Sequence, residues 1–191
     1  MRVIAGRFRS RLLGAPRGMK TRPTSDRLRE TLFNVIAPRI DGARFVDLYA
    51  GSGAVGIEAI SRGAERVWFA ESAAPAVKAI RENLAALQIG DGFSVEARGA
   101  AALLDELVKR GEKVDLMFLD PPYEAAAEYA RTLEFLGGCG SAVLAEDARV
   151  IAEHRSKDEL AESYGVLERV RVLKQGDAGL SFYAVRAEGR D

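Results

Sequence analysis

Between residues 44 and 119, short apolar runs alternate with helix-like segments, and few architectures accommodate such a rhythm. The runs at 44–49, 66–70, 93–97 and 114–119 have strand length, and the segments around 54–62, 74–88 and 100–110 that separate them have helical period. A helical crossover returns the chain to the end of the sheet where the strand began, so successive strands run parallel. A parallel sheet in turn needs helices on both faces. The pattern predicts an α/β fold, and 191 residues with 48% hydrophobic content can bury a sizeable core.

The flanking segments are less regular. Val3–Gly6 and Arg11–Gly14, with basic residues between them, suggest a small hairpin over residues 1–15, and Pro16–Pro23 reads as a loop. Thr24 is placed to cap a helix from about Ser25 to Ile36, with Leu28, Leu32, Val35 and Ile36 on one face and Pro38 as a stop. After a helix near 125–136, Gly137, Gly138 and Gly140 lead to a strand at Arg149–Glu153. Two last runs, Val166–Leu173 and Leu180–Ala187, are joined by a hairpin signal at 174–179.

The first strand ends in Val46-Asp47-Leu48-Tyr49-Ala50-Gly51-Ser52-Gly53, and Gly51 to Gly56 satisfies G-x-G-x-x-G with Glu71 twenty residues beyond Gly51. That spacing formally meets a dinucleotide fingerprint. Asp47 argues against it. An unpaired carboxylate inside a buried strand costs several kcal/mol, of order that for any buried unsatisfied charge, so it needs a dedicated partner. A pyrophosphate would repel it, whereas a methionine ammonium or the amides of the glycine turn would suit it; capping of the turn alone is the bland alternative. Glu71, ending the run Val67–Ala70, is placed to accept both hydroxyls of a ribose, because ligands of such sheets sit at the carboxyl ends of strands.

A second strand end carries Asp120-Pro121-Pro122-Tyr123. Two prolines fix the backbone and remove two amide donors, leaving a carboxylate and a carbonyl as acceptors. An exocyclic amine is a poor nucleophile because its lone pair is delocalised into the ring. Accepting its two hydrogens at Asp120 and at the Pro121 carbonyl would favour a pyramidal nitrogen and stabilise the positive charge that builds there. Tyr123 offers a stacking face, worth about 1–3 kcal/mol per base. Asp120 would emerge beside Gly51 if the two strands are neighbours.

Formal net charge is zero, yet Met1–Arg44 carries eleven Lys or Arg against three acids, so that the remainder is acidic by the same margin of eight. A basic arm suggests a polyanionic partner, although charge runs are usually solvated faces and an Arg-rich start imitates a transit peptide. One cysteine, Cys139, and one histidine, His154, leave little for disulfide or metal chemistry, and no metal is expected. No apolar stretch reaches membrane-spanning length, and a cytoplasmic location is expected.

These motifs resemble the S-adenosylmethionine-dependent methyltransferases. With Arg2-Val3-Ile4-Ala5-Gly6 and the run from Arg22-Pro23-Thr24-Ser25-Asp26 to Leu32-Phe33-Asn34, nearly the whole chain resembles the RsmD family of bacterial 16S ribosomal RNA guanine-N2 methyltransferases. The resemblance implies a Rossmann-like methyltransferase fold: a mostly parallel seven-stranded sheet with an antiparallel edge hairpin and a small N-terminal β-hairpin extension. It divides the chain into a basic RNA-contacting hairpin and loop (1–23) and a methyltransferase domain (24–191). It implies S-adenosylmethionine as cofactor, S-adenosylhomocysteine as product, and methylation of one guanine N2 in 16S rRNA, within the 30S subunit or its assembly intermediate, by a monomer. Asp47, Tyr49, Gly51, Ser52, Gly53, Glu71, Ser72, Gly99 and Ala100 would hold the cofactor, with Arg22, Pro23 and Thr24 closing over it. Asp120, Pro121, Pro122 and Tyr123 would hold the guanine. Arg2, Arg7, Arg9, Arg11, Arg17 and Lys20 would contact RNA. Many relatives of this fold carry Asp or Asn near Arg98-Gly99-Ala100 to bind the adenine amine; this chain does not. N6-adenine methylation of DNA or RNA, glutamine methylation of protein, and an RNA-binding scaffold without chemistry are the alternatives.

Overall fold

The computed structural model describes residues 1–16, 25–122 and 125–186. The chain divides into two units, Met1–Leu103 and Leu104–Asp191.

In the first unit, helix α1 (Asp26–Ile40) precedes strand β1 (Arg44–Leu48), helix α2 (Ala54–Ser61), strand β2 (Arg66–Ala70), helix α3 (Ala74–Ala86), strand β3 (Phe93–Glu96) and the start of helix α4 (Ala100–Lys109). The strands lie in the order β3-β2-β1, all parallel, with Leu48 opposite Ala70 and Ala70 opposite Glu96. Their carboxyl ends are therefore level, which sets the turn after β1 beside the start of the β2–α3 loop. Phe45, Val46, Leu48, Val67, Phe69, Ile57 and Ile80 are buried, as a sheet covered by helices requires.

Two expectations for this unit change. Thr24 lies outside the described residues, and the cap of α1 is Ser25, whose Oγ accepts from the Leu28 amide at 3.1 Å. Pro38 does not end the helix: α1 continues to Ile40, because a proline in the last turn forfeits only one backbone bond while the extra turn buries Ile40 on the face of Ile36. The N-terminal segment pairs with itself as a short hairpin: Arg2 and Leu12 form an antiparallel bridge, flanked by bonds from Val3 N to Arg11 O, from Leu13 N to Met1 O and from Ser10 N to Val3 O. Four amides between these paired ends reach α2 instead. Ile4 and Ala5 donate to the Glu58 carboxylate at 2.7 and 2.9 Å, and Arg7 and Phe8 donate to the carbonyl and hydroxyl of Ser61.

In the second unit, strand β4 (Val114–Leu119) and helix α5 (Ala126–Gly137) lead through a short 3-10 turn to strand β5 (Leu144–Arg155). Strands β6 (Ser163–Tyr164), β7 (Leu167–Gln175) and β8 (Ala178–Val185) follow. Their order is β4-β5-β8-β7-β6, with β4 and β5 parallel and the rest antiparallel. The edge hairpin is present, its loop reduced to Gly176-Asp177, with Gly176 at φ 60° supplying the left-handed turn. β5 is longer than the apolar run at Arg149–Glu153 because β4 pairs with it from Leu144 on, across a bulge. Among the described residues the two-residue β6 adds an eighth strand to the seven expected. The lone histidine, His154, is buried on β5, bonded to the Ser181 hydroxyl at 2.9 Å, with burial lowering its pKa.

Candidate active site

The turn after β1 is held by side chains that reach back to its backbone. Asp47, 2% exposed, sends Oδ2 to the Gly56 amide at 2.8 Å. That amide belongs to the first turn of α2, whose N-cap, Gly53, sits at φ 77° and has no side chain to satisfy it. The carboxylate thus replaces the missing cap across nine residues of sequence, using the helix rather than the amides of the glycine turn itself. Burial raises its pKa from 3.8 to about 7; the Gly56 bond opposes the shift and the Glu71 charge adds to it.

Glu71 follows β2 and spans the same turn, accepting from Gly51 N at 2.9 Å and from Ala73 N at 2.8 Å. Each oxygen keeps a further lone pair for a hydroxyl donor. Tyr49 stands at φ 62°, a left-handed conformation that costs a non-glycine residue about 1–2 kcal/mol. The Ser52 carbonyl accepts from Asn83 Nδ2 at 2.9 Å, its hydroxyl donates to the Met1 thioether at 3.3 Å, and Gly53 N donates to Ala50 O at 2.7 Å. Gly56 is required for packing: a Cβ there would stand 2.2 Å from Phe69 Cε1.

Past the second and third strands, Ser72 and Gly99 approach one another, a Cβ on Gly99 falling 3.5 Å from Ser72 Cβ, and Ala100 opens α4. An open concavity of about 460 Å³ lies here, lined by Ser72, Ala74, Val77, Lys78, Arg81, Glu82 and Ala97. Arg98 turns to Glu96, with bonds of 2.9 and 2.6 Å that pull the Glu96 pKa down.

Asp120 directly follows β4, half-buried, and Pro121 is buried while Pro122 is exposed. The Tyr129 hydroxyl bridges the Glu153 carbonyl at 2.8 Å and the Pro121 carbonyl at 3.4 Å, so α5 and β5 brace the turn from behind. Tyr123 lies outside the described residues, as do Arg17, Lys20, Arg22, Pro23 and Thr24.

Arg2, Arg7, Arg9 and Arg11 are all exposed on the N-terminal arm. Arg29, counted with the basic arm by sequence, is not: it is fully buried, bonded to Asp26 and to the Arg2 carbonyl and ion-paired with Glu58. Sequence reasoning also missed Glu58, Asn83 and Tyr129. Polar residues on otherwise apolar helical faces were the available signal for the first two. Among the described residues no three His, Cys, Asp or Glu side chains cluster as a metal site. No helix among them is long and apolar enough to cross a membrane.

The family model described as conserved hypothetical protein 95 matches residues 1–184. The provisional rRNA methyltransferase YlbH of Bacillus subtilis is 38% identical over 97% of this chain and 100% of its own length. The ribosomal RNA small subunit methyltransferase D of Escherichia coli K12 is 34% identical over 99% and 92%. The solved structure of yhhF from Escherichia coli, described as a provisional methyltransferase, superposes with a TM-score of 0.83 at 31% identity, covering 98% of this chain and 99% of that one.

Proposed function

Because the chain belongs to the RsmD family, with the Rossmann-like methyltransferase fold of its relatives, we propose that it transfers a methyl group from S-adenosylmethionine to the exocyclic N2 of a guanine in 16S ribosomal RNA. The observation that carries this reading is the pairing of Asp47 and Glu71 at one glycine turn. A carboxylate raised to about 7 by burial and by a second carboxylate is hostile to a pyrophosphate and receptive to a cation. The ammonium of a methionine moiety meets that requirement, and ribose hydroxyls meet the free lone pairs of Glu71. The nucleoside base then falls toward Ser72, Gly99 and Ala100, where the concavity offers apolar walls at Val77 and Ala97. Bound in this way, the cofactor supplies an electrophilic methyl on a sulfonium.

The second turn has the complementary task. Asp120 and the Pro121 carbonyl accept the two hydrogens of the guanine amine, which raises lone-pair character on the nitrogen and stabilises its charge as the bond to carbon forms. Tyr123 stacks on the base, and Arg22-Pro23-Thr24 close over the cofactor. The exposed arginines at positions 2, 7, 9 and 11, with Arg17 and Lys20, bind RNA phosphates, and the chain divides functionally into this arm (1–23) and a catalytic domain (24–191). It acts in the cytoplasm as a monomer, on the 30S subunit or its assembly intermediate, without a metal.

Incubation with methyl-labelled S-adenosylmethionine and, separately, unmodified 30S subunits, free 16S RNA, DNA and protein tests the reading. Label on a guanine N2 of 16S RNA, alone or in the particle, is the expected result. Label on adenine N6, or in protein alone, would replace it.

A further inference from the structure

The N-terminal arm and the glycine turn share one buried side chain. Asn83, 5% exposed on α3, accepts from Gly14 N at 2.7 Å through Oδ1, while its Nδ2 donates to Gly14 O at 3.0 Å and to Ser52 O at 2.9 Å. One amide therefore closes a two-bond clamp on the arm and holds the carbonyl in the middle of the Gly51-Ser52-Gly53 turn. The peptide group is planar, so fixing the Ser52 carbonyl also fixes the direction of the Gly53 amide, which is held from its other side by Ala50 O at 2.7 Å. Other arm contacts end on α2, at Glu58 and Ser61, on α3, at the Ala86 carbonyl, or on the Ser52 hydroxyl, which Met1 meets, and leave the turn backbone untouched. Both Nδ2 hydrogens and one Oδ1 lone pair are in use, so Asn83 cannot hold one side more firmly without reorienting on the other.

We propose that Asn83 is a positioning residue that couples RNA binding to cofactor binding: phosphates gripped by Arg7, Arg9 and Arg11 immobilise the arm as far as Gly14, and Asn83 passes that constraint to the peptide on which the cofactor rests. The inference rests on the RNA role proposed for the arm. Ordering that one ligand has already imposed need not be imposed again by the second, so the two bind with positive cooperativity. By linkage the coupling is reciprocal, and a factor of roughly 5 to 50 lies in the usual range.

Calorimetric titration of S-adenosylhomocysteine, with and without saturating 30S subunits or a 16S RNA fragment that carries the target, measures the factor directly. Wild-type protein is expected to bind the product several-fold more tightly when RNA is present. Asn83→Ala is expected to bring the factor close to one. Asn83→Asp keeps the volume and the acceptor for Gly14 N but loses both donated bonds; it is expected to retain RNA affinity within about threefold and still lose the coupling, a readout that damaged folding alone would not produce. Equal coupling in wild type and in Asn83→Asp, or no coupling in wild type, would overturn the role of Asn83. If replacement of Arg7, Arg9 and Arg11 by alanine left RNA affinity and its salt dependence unchanged, the RNA role of the arm would fall first, and the coupling with it.

Discussion

The two motif turns solve the same problem by different means. The turn after β1 is flexible in sequence, with three glycines within six residues, and is made rigid from outside: Asp47 reaches Gly56, Glu71 reaches Gly51, and Asn83 reaches Ser52. The turn after β4 is rigid from within, because two proline rings lock φ, and among the described residues Tyr129 braces it through the Pro121 carbonyl. If the first turn seats the cofactor as proposed, it must let backbone approach the ligand closely, which glycine permits and side chains do not. If the second turn clamps an amine as proposed, it needs carbonyls free of competing amide donors, which proline favours. The first turn is therefore vulnerable at residues distant in sequence, and the second chiefly at its own members.

Four substitutions test that contrast. Asp120→Ala is expected to slow single-turnover methyl transfer by about 10²–10³-fold, comparable with loss of one preorganised charge-stabilising group, while S-adenosylhomocysteine affinity by calorimetry stays within about twofold. A parallel loss of product affinity would erase the division of labour between the turns. Gly56→Ala pushes a methyl into the buried ring of Phe69; a stability loss of about 1–3 kcal/mol by chemical denaturation is expected, together with weakened cofactor binding. Full stability would mean that the close packing of α2 on β2 is not what sets the turn.

Asp47 separates the two turns by pH. Its pKa is about 7 in the folded chain against 3.8 ordinarily, so the folded state favours the protonated acid. Below pH 3.8 both states are protonated and the group adds no pH dependence. Between about 4 and 7 the unfolded chain ionises first and the stability of the free protein falls as pH rises; above 7 the loss is complete. A cation beside Asp47 needs the carboxylate, so cofactor binding below pH 7 releases a proton and weakens by up to about tenfold per pH unit. Calorimetry in buffers of different ionisation enthalpy reads that proton, and Asp47→Asn is expected to abolish it. A proton release that persists in Asp47→Asn would place the titration elsewhere. Tyr129→Phe, the mildest change, is expected to cost about 1 kcal/mol of stability and to lower turnover by a few-fold with KM unchanged; a larger loss than that from Asp120→Ala would make the brace, not the carboxylate, the governing part of the second turn.

Much of this could be read along the chain. Helical and strand periods located β1 to β4 and the helices between them, since each buries one face against a neighbour and the spacing of its apolar residues records that face. Asp47 stood out because a charge in a buried strand must be answered, and Asp120-Pro121-Pro122 because prolines constrain locally. Less was legible where partners come from afar. Arg29 looked like one more cation of a basic arm, yet it is sealed against Glu58 twenty-nine residues away. The arm does pair its two ends as a short hairpin, but four of its amides also reach Glu58 and Ser61 on α2, which no local pattern announced.

Sequence alone determined the alternation of strands and helices, the residues of both turns and the asymmetry of charge, because these depend on local periods, ring constraints and composition. Tertiary structure decided which carboxylate caps which helix, which arginine reaches solvent and which amide ties the arm to the turn. Those contacts join residues nine to sixty-nine positions apart, and a hydrogen bond over such separations exists only once the sheet has brought its ends together.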